Sequence, residues 1–200
     1  VHTYLMRGEP LTLIDVGPQT PSALAALQAG LAREGVALRD IQRVLITHAH
    51  VDHYGLVGAV VAASGAEVWA HPLAQAQIEG WPSHQAAYDQ FWLALLLAAG
   101  VPAGLAQRTA SLYQRMQQLI GHAPVARLLN EGAVISLAGA DWQVLHCPGH
   151  ADSLICLYQA DDRLLLGNDH LLAHISSNAL VGPPPAGEQE RRRPLVDYWA

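Results

Sequence analysis

The chain carries 200 residues, 51% of them hydrophobic and 14% charged, with a formal net charge of −6. This balance suits one globular domain with a sizeable core and excludes a disordered chain. Arg191-Arg192-Arg193 is its one basic run, so no face is evident that would bind nucleic acid by releasing phosphate counterions.

The longest apolar run, Phe91 to Ala99, is too short to cross a bilayer. No signal peptide is visible, so a cytoplasmic protein without a membrane partner is expected. Two cysteines, Cys147 and Cys156, are too few for a disulfide scaffold. Either is read as a small buried hydrophobe, with a ligand role for Cys147 as the less favoured alternative.

In chain order, His2 to Met6 and Leu11 to Val16 read as strands joined by a turn around Gly8-Glu9-Pro10. Asp15 follows the second, either as a turn former or as an acceptor that orients a neighbouring loop. Ser22 is expected to N-cap a helix from Ala23 to Glu34, with Leu24, Leu27 and Leu31 as its apolar stripe and Gly35 as its end. Ile41 to Ile46 is a buried strand, Leu56 to Ser64 a helix and Glu67 to Ala70 another strand, which implies a helix-covered sheet.

From Pro82 to Ile120 the pattern is helical, broken at Gly100-Val101-Pro102. It predicts a helical hairpin, inserted at about 82–121 between two sheet-forming halves. Phe91, Leu95 and Leu96 mark one apolar face, and Leu105, Leu112, Met116 and Leu119 another, for core or homo-oligomer contact, with a substrate lid as the less favoured alternative. Strands resume at Val134 to Leu137 and Trp142 to His146, then at Leu154 to Tyr158 and Arg163 to Gly167, each pair joined by turn residues. Pro183-Pro184-Pro185 begins a linker, and an incomplete helix starts at about 190.

The chemistry concentrates in Thr47-His48-Ala49-His50-Val51-Asp52-His53, where three imidazoles and a carboxylate fall within six residues. Neutral imidazole and carboxylate are the ligands that hold zinc and other first-row divalent metals. The stretch hangs from the carboxyl end of a strand, where ligand sites collect in α/β layers. Two later strands also end in polar loops, Cys147-Pro148-Gly149-His150-Ala151-Asp152-Ser153 and Gly167-Asn168-Asp169-His170. His2, His71, His84, His122, His146 and His174 have no clustered partners and are read as structural or exposed.

These motifs, in this order, resemble the metallo-β-lactamase fold superfamily of hydrolases. The resemblance rests on the Leu-Ile-Asp-x-Gly turn at Asp15, the T-H-x-H-x-D-H loop at 47–53, Pro-Gly-His at His150 and Gly-x-Asp-His at Asp169. It implies a four-layer αβ/βα sandwich of α/β class. It further implies that His48, His50 and His150 bind one metal, that Asp52 and His53 bind a second, and that Asp169 bridges the two. The family's last ligand, a histidine on a C-terminal strand, has no counterpart after His174. The incomplete helix at Ala200 leads us to expect that the natural sequence continues, and Val1 leaves its natural start open.

By the same resemblance two zinc ions are expected, with iron or manganese as alternatives. A metal-bound hydroxide would attack the carbonyl of a small acyl ester or thioester, Asp52 also passing the proton. Asp15, His170 and Tyr54 are candidates for positioning the ligands or the substrate. The inserted hairpin and Asp169-His170-Leu171-Leu172 resemble the hydroxyacylglutathione hydrolase-like and thioesterase-like branch. A lactonase, a β-lactamase or an inactive metal-binding domain acting by association are the competing readings.

Overall fold

Three neighbouring strands build two cores at once. In β2 (Thr12–Ile14), β3 (Arg43–Ile46) and β4 (Glu67–Ala70) every residue except Glu67 is buried, and successive side chains point to opposite faces. Leu13, Val44, Ile46, Val68 and Ala70 join one core, while Ile14, Leu45 and Trp69 join the other. Strands buried on both faces are the normal condition of a helix-covered parallel sheet.

The computed structural model describes residues 2–116, 120–184 and 190–199; the expected positions Leu119 and Pro185 lie outside them. β1 (Tyr4–Met6) pairs antiparallel with β2, and β2, β3, β4 and β5 (Val125–Leu128) then run parallel in spatial order. β6 (Val134–Leu137), β7 (Ala140–His146), β8 (Ile155–Gln159) and β9 (Leu164–Leu166) form an antiparallel meander. The inner residues of the meander, Ile135, Leu137, Trp142, Val144, Ile155 and Leu157, pack on Ile14, Leu45 and Trp69. On the other face of the first sheet lie α1 (Pro21–Arg33) and α3 (Val57–Ser64), contributing Leu31, Val57 and Val60.

Helix, sheet and facing sheet thus follow the expected layer order. On the outward face of the meander Ser136, Asp141 and Gln143 are exposed, so no outer helical layer covers those positions among the described residues. No described helix is long and apolar enough to cross a membrane.

Three expectations need correction. Thr20, not Ser22, caps α1: its side chain accepts from the Ala23 amide at 3.1 Å, because Pro21 takes the first helical position. The stretch at 47–53 is not all loop, since α2 (Val51–Tyr54) forms a helical turn within it. The helical hairpin exists as α5 (Pro82–Ala98) and α6 (Ala103–Met116), turning at Gly100 with φ +80°. Its face of Leu105, Leu112 and Met116 is exposed rather than core, and Ala106 is the buried contact.

Candidate metal centre

Three strand ends meet at one point. β3 ends at Ile46 and delivers Thr47 to His50, and α2 adds Asp52 and His53. The 147–153 loop between β7 and β8 brings His150, and a 3₁₀ turn after β9, Asn168–His170, brings Asp169. The loops are tied together by backbone. The Ile155 amide donates to the Thr47 carbonyl at 2.9 Å, and the Ala49 amide donates to Ser153 Oγ at 3.2 Å.

Asp15 sits beneath this junction, 2% exposed and with φ +57°, a left-handed conformation that Asp and Asn tolerate better than most residues. Its carboxylate accepts from the Thr47 amide (2.9 Å), Thr47 Oγ1 (2.8 Å) and His53 Nδ1 (2.7 Å).

The hydrogen bonds fix which nitrogen of each imidazole is bare. His53 Nδ1 keeps its proton and donates it to the Asp15 carboxylate. Thr47 spends its single hydroxyl hydrogen on Asp15, so towards His48 Nδ1, 3.1 Å away, it must accept. His150 Nδ1 donates to the Asn178 carbonyl at 2.9 Å. In its neutral form each of these rings therefore turns an unprotonated Nε2 inward. Nε2 of His48 and of His53 is buried without a hydrogen-bond partner among the described residues, although such groups are normally satisfied. His150 Nε2 faces His50 Nδ1 at 2.9 Å, and Asp169 Oδ2 lies 3.4 Å from Nε2 of both His53 and His150.

Two groups of ligand atoms, each spanning no more than 4.8 Å, result: His48, His50 and His150, and His48, His53 and Asp169. Once the proton shared between His150 Nε2 and His50 Nδ1 is displaced, the converging lone pairs fit a divalent ion. Asp52 belongs to neither group. Its side chain is half-exposed on the first turn of α2, with Oδ2 3.7 Å from His53 Nε2. His48 takes part in both groups rather than in one half-site, because its ring lies 3.9 Å from that of His53 and 4.6 Å from that of His50.

Electrostatics keep the trio neutral. Burial, then the nearby His53, His50 and His150, holds His48 well below its ordinary pKa. Burial, then His150 and His53, lowers His50 to about 4, and burial lowers His150. His53 behaves differently: burial pulls it down, but the bond and charge of Asp15, aided by Asp52 and Asp169, leave it above its ordinary value.

The remaining candidates fall outside the two groups. Tyr54 is 3% exposed and packs in the helix-side core, its hydroxyl 3.5 Å from the Gln77 carbonyl. His170 packs its ring against Tyr198, 4.7 Å between centroids, while Tyr198 Oη donates to the His170 carbonyl. Cys147 and Cys156 are free thiols, and Cys156 Sγ donates to the Gly167 carbonyl at 3.5 Å. Tyr198 belongs to α7 (Pro194–Trp199), which also lies on Gly149. Asn178, Ser153 and Tyr198 were not singled out from sequence; the first acts through a carbonyl, which leaves no side-chain signal. His71 and His146 stack at 4.1 Å beside the site, unforeseen as a pair.

A cavity of about 490 Å³ opens beside His50 and His150 and runs to the start of α5. A His/Asp cluster that could hold a divalent metal, at the strand ends of an α/β sandwich, is therefore the class of site that fold and geometry define. Residues 1–195 match the family described as the metallo-beta-lactamase superfamily, and the chain belongs to it.

The chain is 39% identical over 204 residues to a "Probable metallo-hydrolase YqjP" of Bacillus subtilis (strain 168), covering 99% of this chain and 60% of the relative. It is also similar to the crystal structure of the metallo-beta-lactamase family protein TTHA1429 from Thermus thermophilus. That match has a TM-score of 0.79 at 28% identity, over 98% of this chain and 61% of the other. A shorter match, 43% identical over 44 residues, links 22% of this chain to 16% of the "Acyl-coenzyme A thioesterase MBLAC2" of Gallus gallus. The chain thus spans about three fifths of the first two relatives.

Proposed function

We propose that the protein is a metal-dependent hydrolase of small acyl esters or thioesters, working with two zinc ions and with iron or manganese as alternatives. The carrying observation is the convergence of bare imidazole nitrogens and the Asp169 carboxylate at the edge of a cavity. His48, His50 and His150 would hold one ion. Asp52 and His53 would hold the other, with Asp169 bridging and His48 within reach of either group.

A bound divalent ion supplies Lewis acidity and a water acidic enough to be deprotonated near neutral pH. The chain's residues do the rest. Asp15 and the Asn178 carbonyl hold His53 and His150 in the tautomers that leave Nε2 bare. Asp52, at the solvent edge, accepts a proton from the attacking water and hands it to the leaving group. The water oxygen bonds to the acyl carbon as the C–S or C–O bond breaks. The thiolate or alkoxide leaves with the proton from Asp52, and the acid releases the second proton to solvent.

The name of the acyl-coenzyme A thioesterase relative and the inserted hairpin support the thioester branch over the cyclic-carbonyl alternatives. The test is metal analysis of the purified protein, then a panel of thioesters, esters, lactones and β-lactams with the wild type, His50→Ala and Asp52→Ala. Metal-dependent cleavage of open-chain acyl substrates, lost in both variants at unchanged far-UV circular dichroism, is expected. Activity at the wild-type level in either variant would remove its residue from the mechanism.

A further inference from the structure

The cavity beside His50 and His150 is asymmetric in chemistry. Its near wall is metal-site imidazole; the rest is mainly apolar, with Leu73, Trp81, Ala87, Tyr88, Leu180 and Val181, and is interrupted by the neutral polar Gln75, Gln77 and Ser83. Among the described lining residues none is Lys or Arg, and Asp152 is the one carboxylate. Trp81 Nε1 donates to Glu79 Oε2 at 2.8 Å, so the indole's polar tip is engaged at its edge. His84, also in the wall, is lowered in pKa by burial, which disfavours its charged form. Beyond the metal centre at its near wall, an anionic group placed here would meet a carboxylate and no Lys or Arg side chain, whereas an apolar chain would release water from apolar surface.

Position assigns the cavity to one end of the substrate. Its wall includes His50 and His150 but not His53 or Asp169. In the hydrolase reading, on which this inference rests, Asp52 hands the proton to the leaving group, and its Oδ2 lies 3.7 Å from His53 Nε2, so the thiolate or alkoxide leaves on the His53–Asp169 side. The acyl side therefore enters the cavity.

We infer that this cavity is an acyl-chain pocket, and that the substrate is a thioester or ester of an uncharged, apolar acyl group, with α5 as the wall that sets its length. At about 30 Å³ for a water-sized group, a cavity of about 490 Å³ holds on the order of fifteen such groups. That is room for a medium-length chain.

The test uses neutral S-acyl N-acetylcysteamine thioesters, from acetyl to dodecanoyl, on the intact metal-loaded protein. Binding of decanamide, a non-cleaved amide, is followed in parallel by tryptophan fluorescence. Each buried methylene is expected to raise kcat/KM about two- to fourfold until the pocket is full. Ala87→Trp, which narrows the wall, should lower the octanoyl-to-acetyl ratio at least tenfold. Decanamide should shift the fluorescence of the wild type, and Trp81→Phe should lose most of that shift.

A flat chain-length profile, a preference for succinyl over butyryl, or rates that follow the apolarity of the leaving group would each overturn the inference. So would absence of decanamide binding, whatever the hydrolysis. Decanamide binding with no thioester cleaved at any length would instead count against the hydrolase reading and leave the pocket standing.

Discussion

Asp15→Asn isolates the group that prepares the centre from the groups that form it. Asn has the same shape and tolerates the left-handed backbone at φ +57°, and its carbonyl still accepts from the Thr47 amide. The second carboxylate oxygen, however, now becomes an NH₂. It faces His53 Nδ1, 2.7 Å away in the wild type, and two donors cannot share that contact. The imidazole proton must then move to Nε2, the nitrogen that points at Asp169.

Losing such a partner typically weakens metal affinity 10- to 100-fold, about 1.4–2.7 kcal/mol. The cost to folding is on the order of 1–3 kcal/mol, for a bond to a charged group that is weakened rather than deleted. Zinc titration against a chromogenic chelator, with thermal melts alongside, reads both effects. Thr47 Oγ1, which donates to the same oxygen at 2.8 Å, must then accept from the new amide and can turn its hydrogen to His48 Nδ1. We therefore expect both binding steps to weaken, the His53 step by this factor. Two steps of wild-type affinity in a folded Asp15→Asn protein would refute the reasoning.

Gly149 has φ +130°, and a Cβ there would lie 2.6 Å from Tyr198 Cβ. Gly149→Ala should therefore push α7 or the His150 loop aside, costing a few kcal/mol and lowering metal affinity; an unchanged melting temperature would contradict the contact. His71, 7% exposed, has its pKa lowered to about 4 by burial, then by His146 and Arg192, from 6.5. The unfolded chain takes up that proton first, so stability present above pH 6.5 is lost as pH falls towards 4, by about 3 kcal/mol. Denaturant unfolding of the metal-free protein at both pH values should show His71→Phe spared that part of the acid loss; equal losses in variant and wild type would remove His71 from the account. Tyr198→Phe removes the hydrogen bond to the His170 carbonyl, at 2.9 Å, and should cost about 1 kcal/mol, read from the same unfolding curves.

Much of the first sheet was legible because each of its central strands is a short apolar run ended by a polar loop. Strand β4 was expected at its observed bounds, Glu67–Ala70. Strand β5 was missed because Ala126, Arg127 and Leu128 are exposed, so its burial carries no apolar alternation. Backbone pairing to β4 and the Arg127 guanidinium over Trp69 hold it instead.

At the site, the ligand types at 48–53 were legible from density alone. Their union with His150 and Asp169 was legible only through the resemblance, since sequence separation hides which strand ends meet. The place of Asp52 outside both ligand groups, and of His48 in both, depends on side-chain direction at the start of α2, which spacing does not encode. The clamp of Tyr198 on the His170 turn is a contact over 28 residues between a helix and a turn with no shared pattern.

The central claim is that three loops assemble one centre that needs metal to act. Its most direct measurement is zinc stoichiometry of the intact protein, wild type and His48→Ala, with thioester hydrolysis followed at each equivalent added. Because His48 Nε2 belongs to both ligand groups, the account predicts two equivalents and metal-dependent turnover in the wild type, with both binding steps weakened and turnover lost in the variant. Absence of tight metal binding in the wild type, or turnover in His48→Ala at the wild-type level, would contradict it.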